Sequence, residues 1–222
     1  MVGSTKVVVE HLEECLSPWL LSEYKYVVKL FGKSTVFTNV RDPVTRNILR
    51  GLNVEVTEKS IVELVTEGVI GRVIVLDPRA RDGLKPEDLR EVDVVVIGGI
   101  MGEHPPKGRT YASITSKLRL KCLVRNLGKL QLTIAGTAYV LSKIAGGVLL
   151  EELDIKFGLR LSVNIGNYEV SIELPYAFPY ENGVPVLPED YMEVVSRRST
   201  VFEARSGCLE QSNNTPSTTS LR

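Results

Sequence analysis

The sequence predicts an α/β protein with a mostly parallel sheet and helices on both of its faces. Its most apolar segments are short and rich in β-branched residues, such as KVVVE at residues 6–10. Continuous apolar runs of this kind are typical of strands that are buried on both faces. Segments with helix caps separate the runs, and this alternation indicates parallel strands joined by helices.

The first half of the chain contains four predicted strands, at residues 6–10, 36–38, 72–76 and 92–97. Three of the helices between them follow a capping residue and precede a glycine. They are 18–31 after Ser17, 43–50 after Asp42, and a helix between Thr57 and Gly68. A short helix is also predicted over residues 85–90.

The second half begins with one more predicted strand at 122–125, the loop LGKLQLT and a helix over 134–145. Beyond Gly147 the pattern changes to antiparallel strands at 159–163 and 168–174, joined by a turn of Asn and Gly. A proline-rich stretch and a short helix follow. We therefore expect a main domain at 1–150, an extension packed on it at 151–202, and a disordered tail at 203–222 that has few residues to bury.

Composition excludes several classes of protein. Basic and acidic residues both number 27, so a net charge of zero provides no general attraction to nucleic acid or membrane. The longest apolar stretch, residues 92–101, is about half of the roughly 20 residues that a membrane-spanning helix needs. The chain shows no signal peptide and no CxxC pair. We therefore expect a cytoplasmic protein, without membrane contact, whose three cysteines are reduced.

Two glycine-containing motifs resemble nucleotide-binding sequences but lack essential parts. GKS at 32–34 has no glycine five positions earlier, and it joins a helix to a strand instead of a strand to a helix. GGIMG at 98–102 lacks the first glycine of the dinucleotide motif, and prolines follow it where a helix should begin. His11 and Cys15 lack a second pair of ligands, so no metal site is predicted.

Acidic side chains at the carboxyl ends of the predicted strands are candidates for contact with a ligand. Asp77 and Glu103 each follow a strand, and open α/β sheets bind ligands at that edge. Glu10 ends the first strand and Glu13 follows it closely. The alternatives are that Asp77 braces a turn with Pro78 and that the segment EHLEE is a solvated acidic face.

The segment between Glu103 and Glu151 contains no acidic residue. Its basic side chains predict a contact surface for RNA or a ribonucleoprotein, although a solvated face explains them equally well. The residues of this predicted basic surface are Lys107, Arg109, Lys117, Arg119, Lys121, Arg125 and Lys129.

Four separated motifs within residues 6–195 resemble one family of known proteins. They are VVEHLEECLSPWLLSEY, GGIMGEHPPKGRT, RNLGKLQLT and LPYAFPYENGVPVLPE. They resemble a small family within the SPOUT class of methyltransferases, which use S-adenosylmethionine and whose chain forms a C-terminal trefoil knot. The characterised fungal branch methylates an arginine of a small-subunit ribosomal protein, whereas other members have been described as RNA methyltransferases.

The resemblance implies that S-adenosylmethionine is bound by loops whose glycines let the backbone approach a ligand. The implied cofactor-binding residues are Asp77, Pro78, Gly98, Gly99, Ile100, Met101, Gly102, Leu127, Gly128, Leu130, Gln131, Leu132 and Thr133. An arginine acceptor also needs a carboxylate to orient its guanidinium. Glu103 is the first catalytic candidate, with Glu10, Glu13 or Asp77 behind it.

Three functions are compatible with the resemblance. They are methylation of an arginine in a small-subunit ribosomal protein, methylation of ribosomal or transfer RNA, and a non-catalytic role in ribosome assembly. The intact GGIMGEHPP loop favours an enzyme. The resemblance leaves open whether two copies form a homodimer through their knots or the C-terminal extension covers that face.

Overall fold

The computed structural model describes residues 5–102, 104–165, 168–198 and 208–209. Its main sheet consists of β1 (Lys6–His11), β2 (Thr35–Thr38), β3 (Glu55–Val56), β4 (Val73–Leu76), β5 (Val94–Gly99) and β6 (Leu123–Arg125). The strand order is β3-β2-β1-β5-β4-β6, and every neighbouring pair is parallel. The predicted parallel α/β fold is therefore confirmed.

The helices begin where capping side chains replace missing backbone partners. They are α1 (Pro18–Phe31), α2 (Pro43–Arg50), α3 (Ile61–Thr66), α4 (Ser116–Leu118), α5 (Ile134–Ala145) and α6 (Tyr191–Arg198). The Ser17 hydroxyl accepts a hydrogen bond from the Leu20 amide at 3.1 Å at the start of α1. Asp42 likewise accepts from the Thr45 amide at 2.7 Å at the start of α2.

The predicted cap of α3 is wrong by three residues. Ser60 caps this helix, and its hydroxyl accepts from the Glu63 amide while the Glu63 carboxylate accepts from the Ser60 amide. Thr57 instead bonds through its backbone to Phe37 and Val40. It continues the extended chain of β3 beside β2, so it cannot begin a helix.

Both faces of the main sheet are buried, as the continuous apolar strands predict. Val7 and Val9 of β1 belong to a core with Tyr24 of α1. Val8 points to the opposite face and packs in a core with Ile61 of α3. Side chains alternate between the two faces along a strand, so neighbouring residues of one strand serve different cores.

The C-terminal extension is an antiparallel sheet of β7 (Asp154–Ile165), β8 (Tyr168–Glu181) and β9 (Val184–Pro185). These strands are longer than predicted because β8 includes prolines that the sequence suggested were in a loop. Pro175 lies where a register shift interrupts the pairing of β7 with β8, and such irregularities tolerate proline. Tyr191 of α6 packs edge-on against Trp19 of α1, so the extension packs on the main domain.

The prediction of three reduced cysteines is wrong. Cys15 and Cys208 form a disulfide between residues separated by 193 positions, whereas Cys122 is a free thiol. The Leu209 amide also donates a hydrogen bond to the Leu16 carbonyl at 2.8 Å. Part of the predicted disordered tail is therefore attached beside β1. The rest of residues 203–222 lies outside the described residues.

Helical turns at Tyr111–Thr115 and in α4 were not predicted from the sequence. Ile114 and Leu118 are buried on one side of this segment, four residues apart, and that spacing was its only sequence signal. Within the described ranges, no helix combines the length and the apolar character that crossing a membrane requires.

Candidate methyl-donor site

A pocket of about 300 Å³ opens where β4, β5 and β6 end. Three predicted segments line it, and the residues of the prediction that do so are Asp77, Pro78, Gly98, Ile100, Met101, Gly102, Leu127, Gly128, Leu130, Gln131 and Leu132. Parallel strands bring their carboxyl ends to one edge of the sheet, so segments far apart in sequence meet there. The predicted Gly99 and Thr133 lie outside this lining.

The first loop is organised by Asp77, which is 2% exposed. One carboxylate oxygen accepts a hydrogen bond from the Thr115 hydroxyl at 2.6 Å, and the other accepts from the Arg79 amide at 2.9 Å. Both oxygens are therefore engaged inside the protein. Asp77 lines the pocket as a brace for the loop, in agreement with the alternative that the sequence offered.

The second loop begins with two adjacent glycines that have different surroundings. A Cβ atom at Gly98 would lie 2.7 Å from the Thr110 hydroxyl, on the pocket side. A Cβ atom at Gly99 would lie 2.8 Å from the backbone oxygen of Glu10 and against the Tyr24 hydroxyl. Gly99 is thus required by close packing between β5 and β1, and Gly98 by the shape of the pocket.

The third loop passes into α5, and the residue at the junction serves as a helix cap. The Thr133 hydroxyl accepts a hydrogen bond from the Gly136 amide at 3.0 Å. The loop itself is held by the C-terminal extension, because the Ala177 amide donates to the Gln131 carbonyl at 2.8 Å. The extension thus fixes the backbone at Gln131, which lines the pocket, whereas Thr133 caps α5 and lies outside that lining.

The extension also contacts the second loop through Tyr176 of β8. Its hydroxyl donates a hydrogen bond to the Gly102 carbonyl at 2.8 Å. A Cβ atom at Gly102 would lie 2.6 Å from the Tyr176 ring, so only glycine fits at this position. One strand of the extension therefore holds two of the three pocket loops.

Two further candidate acids, Glu13 and Glu10, occupy different environments. Glu13 accepts a hydrogen bond from the Met101 amide at 2.8 Å and lies 3.5 Å from the Arg109 guanidinium at the pocket rim. Glu10 is 2% exposed and accepts bonds from the Thr38 hydroxyl and from the Ile61 amide that starts α3.

Burial raises the pKa of Glu10, and the bonds from Thr38 and Ile61 offset part of this increase. Its carboxylate faces α3 instead of the pocket, which corrects its placement among the acids of the site. Glu103, the first candidate from the sequence, lies outside the described residues.

The residues of the predicted basic surface have different surroundings in the structure. Lys107 and Lys129 line the pocket, where both are exposed, and Lys117 and Lys121 are exposed elsewhere. Arg125 forms an ion pair with Asp88 at 2.8 Å, with both side chains less than one-fifth exposed, so it belongs to the fold. Arg109 is paired with Glu13, and the side chain of Arg119 is outside the described set.

Several pocket residues were missed by the sequence analysis. They are Leu76, Arg79, Ile97, Pro106, Gly108, Thr110, Ile134 and Thr137, together with the two lysines and Arg109, which had been considered only as surface. Gly108 has a φ of +66°, and the Arg79 guanidinium lies where its side chain would be. The signal for this part was the motif KGRT after two prolines, which extends the second loop.

Solved structures share this fold. The crystal structure of the yeast arginine methyltransferase SFM1 complexed with S-adenosylmethionine gives a TM-score of 0.76 at 26% identity, over 89% of this chain and 92% of that chain. A dual specific Trm10 from Thermococcus kodakaraensis gives 0.50 at 15% identity, over 66% and 96%, which is a likeness of fold alone. The fold and the pocket together define a SPOUT-class methyltransferase that uses S-adenosylmethionine as methyl donor.

The sequence comparison identifies the family. Residues 6–201 match the family described as Protein arginine N-methyltransferase SFM1-like. The chain is also 30% identical over 212 residues to Protein arginine N-methyltransferase SFM1 of Saccharomyces cerevisiae, a match that covers 87% of this chain and 95% of that protein. The chain belongs to the SFM1-like family of protein arginine N-methyltransferases.

Proposed function

We propose that this chain transfers a methyl group from S-adenosylmethionine to a side-chain nitrogen of an arginine in a substrate protein. The observation that carries the proposal is that Glu13 contacts Met101 and Arg109, two residues of the pocket lining, and so lies beside the pocket, at a position termed its rim. Its carboxylate holds the Met101 amide of the second loop and lies 3.5 Å from the guanidinium of Arg109. A carboxylate that pairs with one guanidinium beside the donor pocket has the chemistry to orient that of an acceptor.

The pocket walls suit the methyl donor. Ile100, Leu127 and Leu132 supply apolar surface against which an adenine ring can pack. Gly98 and Gly102 lack side chains where a ligand must approach the backbone, and any other residue there would meet Thr110 or Tyr176. When bound, S-adenosylmethionine supplies an electrophilic methyl group on a positively charged sulfur.

The acceptor arginine arrives protonated, because the pKa of a free guanidinium lies far above neutral pH. As one of its nitrogens bonds to the methyl carbon, the bond from that carbon to sulfur breaks and leaves its electron pair on sulfur. The acceptor nitrogen then loses one proton to a nearby carboxylate or to water. Glu13 orients the guanidinium for this displacement, and orientation supplies much of the catalysis in such reactions.

Substitution of Glu13, and of Glu103 as the first candidate from the sequence, tests these roles. Glu13→Gln keeps an acceptor for the Met101 amide but removes the charge, so we expect turnover to fall at least about tenfold. Glu103→Gln should leave donor affinity nearly intact and reduce turnover strongly. Glu189→Gln, which alters an exposed ion pair with Lys29, is the matched control. Turnover unchanged in Glu13→Gln would remove that residue from the mechanism.

A small-subunit ribosomal protein stays the proposed substrate, on the sequence resemblance. The assay incubates a ribosomal fraction with the purified chain and donor labelled on its methyl group, and then separates protein from RNA after nuclease treatment. We expect the label on arginine in the protein fraction. Label in RNA would support the alternative substrate and a role for the exposed lysines of the basic surface. Binding of the donor without transfer would indicate a non-catalytic assembly factor.

A further inference from the structure

A third buried acid lies behind the pocket wall. Glu23 of α1 is 2% exposed, and its carboxylate accepts a hydrogen bond at 2.5 Å from the amide of Ala135, in the first turn of α5. Thr133, which caps that helix, is the last residue of the third pocket loop. Glu23 therefore joins α1 to the point at which this loop becomes helix.

A cavity of about 10 Å³ lies between Glu23 and the pocket loops. Its lining includes Met101 and Gly102 of the second loop, Leu132 and Thr133 of the third loop, and Tyr176 of β8. Met101, Gly102 and Leu132 also line the main pocket. Glu23 thus lies where α1, the second loop, the third loop and β8 meet behind the pocket.

The charge of Glu23 is costly to the fold. Burial raises the pKa of its carboxyl group to about 7, although the Ala135 amide and the side chains of Trp19, Thr133 and Tyr191 offset part of the effect. Among the residues that the structure describes, the titratable side chains that face Glu23 from other elements are Tyr191 of α6 and Tyr176 of β8. A raised pKa means that its contribution to stability is present below the unfolded value of 4.5 and is lost as the pH rises through about 7.

We propose that Glu23 is a positioning residue for the methyl-donor pocket, because its ionised carboxylate fixes the first turn of α5 and thereby the loop at 127–133. A negative charge is favourable at the N-terminus of a helix, and a hydrogen bond to a charged acceptor is stronger than a neutral one. A loop that is already held in its binding conformation loses less conformational entropy when the ligand binds, so the ligand binds more tightly. The inference rests on the donor function of the pocket and is independent of the acceptor.

Calorimetric titration with S-adenosylmethionine at about pH 6 and about pH 8 compares donor affinity when Glu23 is mostly protonated with donor affinity when it is mostly ionised. The wild-type chain should bind the donor about fivefold more tightly at the higher pH, where Glu23 is ionised. Glu23→Gln should bind weakly, with little change between the two pH values. Glu63→Gln is the matched control, because its carboxylate accepts from the Ser60 amide at the start of α3, away from the pocket.

Thermal unfolding at the higher pH separates positioning from support of the fold. Glu23→Gln should unfold at a higher temperature than the wild type, since it removes a buried charge, and yet bind the donor less tightly. A fall in both quantities would assign Glu23 to the fold alone and overturn the proposal. An equal dependence of donor affinity on pH in both chains would also overturn it.

If Glu23→Gln does not fold, the wild-type titration decides, and equal affinity at both pH values refutes the role of Glu23. Failure of this inference is distinct from failure of the proposed function. A chain whose donor affinity responds as expected but which methylates no arginine would refute only the proposed function.

Discussion

Glu10, Glu13 and Glu23 are close in sequence, but their surroundings give them different roles. Glu10 shares a strand face with Val8, so its carboxylate serves the start of α3. Glu13 follows the strand and reaches the pocket rim, whereas Glu23 supports the wall from α1. The sequence could predict acids at this edge of the sheet. It could not predict which of them faces the pocket, because that depends on strand alternation and on neighbours distant in sequence.

The burial of His11 leads to a separate prediction, that the free energy of unfolding falls at low pH. Burial lowers the pKa of this histidine from 6.5 to about 4, and its Nδ1 atom lies 2.9 Å from the Tyr24 hydroxyl. A lowered pKa means that its contribution to stability is present above 6.5 and is lost as the pH falls through about 4. The loss should be on the order of 3 kcal/mol.

Urea unfolding of the wild type and of His11→Gln, each at about pH 7 and about pH 4, measures this contribution. The wild type should lose more of its free energy of unfolding between the two pH values than the variant does. Equal losses would show that His11 is not the group responsible.

At the scale of elements, β8 holds two of the pocket loops in place through hydrogen bonds. The Tyr176 hydroxyl donates to the Gly102 carbonyl at 2.8 Å, and the neighbouring Ala177 amide donates to the Gln131 carbonyl. Tyr176→Phe removes the first bond, so donor affinity should fall about threefold to tenfold. Calorimetry measures the change, with Tyr180→Phe on the same strand as control. Identical donor affinities in the two variants would mean that the Tyr176 bond to Gly102 does not contribute to donor binding.

The helix ends show how far local sequence chemistry can predict elements. The bounds of α1, α2 and α5 agree with the prediction, because each has a capping side chain at its start and a glycine after its end. The turns at Tyr111–Thr115 were missed because the segment is short, has no side-chain cap at its start and is held by the Thr115 bond to Asp77. That contact joins residues distant in sequence, so no local pattern contains it.

At the scale of the whole molecule, contacts between residues distant in sequence join parts of the chain, and the sequence pattern does not predict them. The disulfide between Cys15 and Cys208 joins positions separated by nearly the whole chain, and scattered cysteines alone do not reveal such a pair. The packing of β8 on the loops similarly required the three-dimensional fold. The sequence alone placed acidic side chains at the carboxyl edge of the sheet. The loops at 98–102 and 127–133 were implied by the family resemblance, and most of their residues line the pocket. The knot, the homodimer and the cytoplasmic location stay predictions.

A crystal structure grown with S-adenosylmethionine tests the central claim most directly. The account predicts the donor between the loop at 98–102 and the loop at 127–132, with its sulfonium methyl group directed towards the rim carboxylate of Glu13. A donor bound at another place on the chain, or one whose methyl group faces away from Glu13 into the protein, would contradict it.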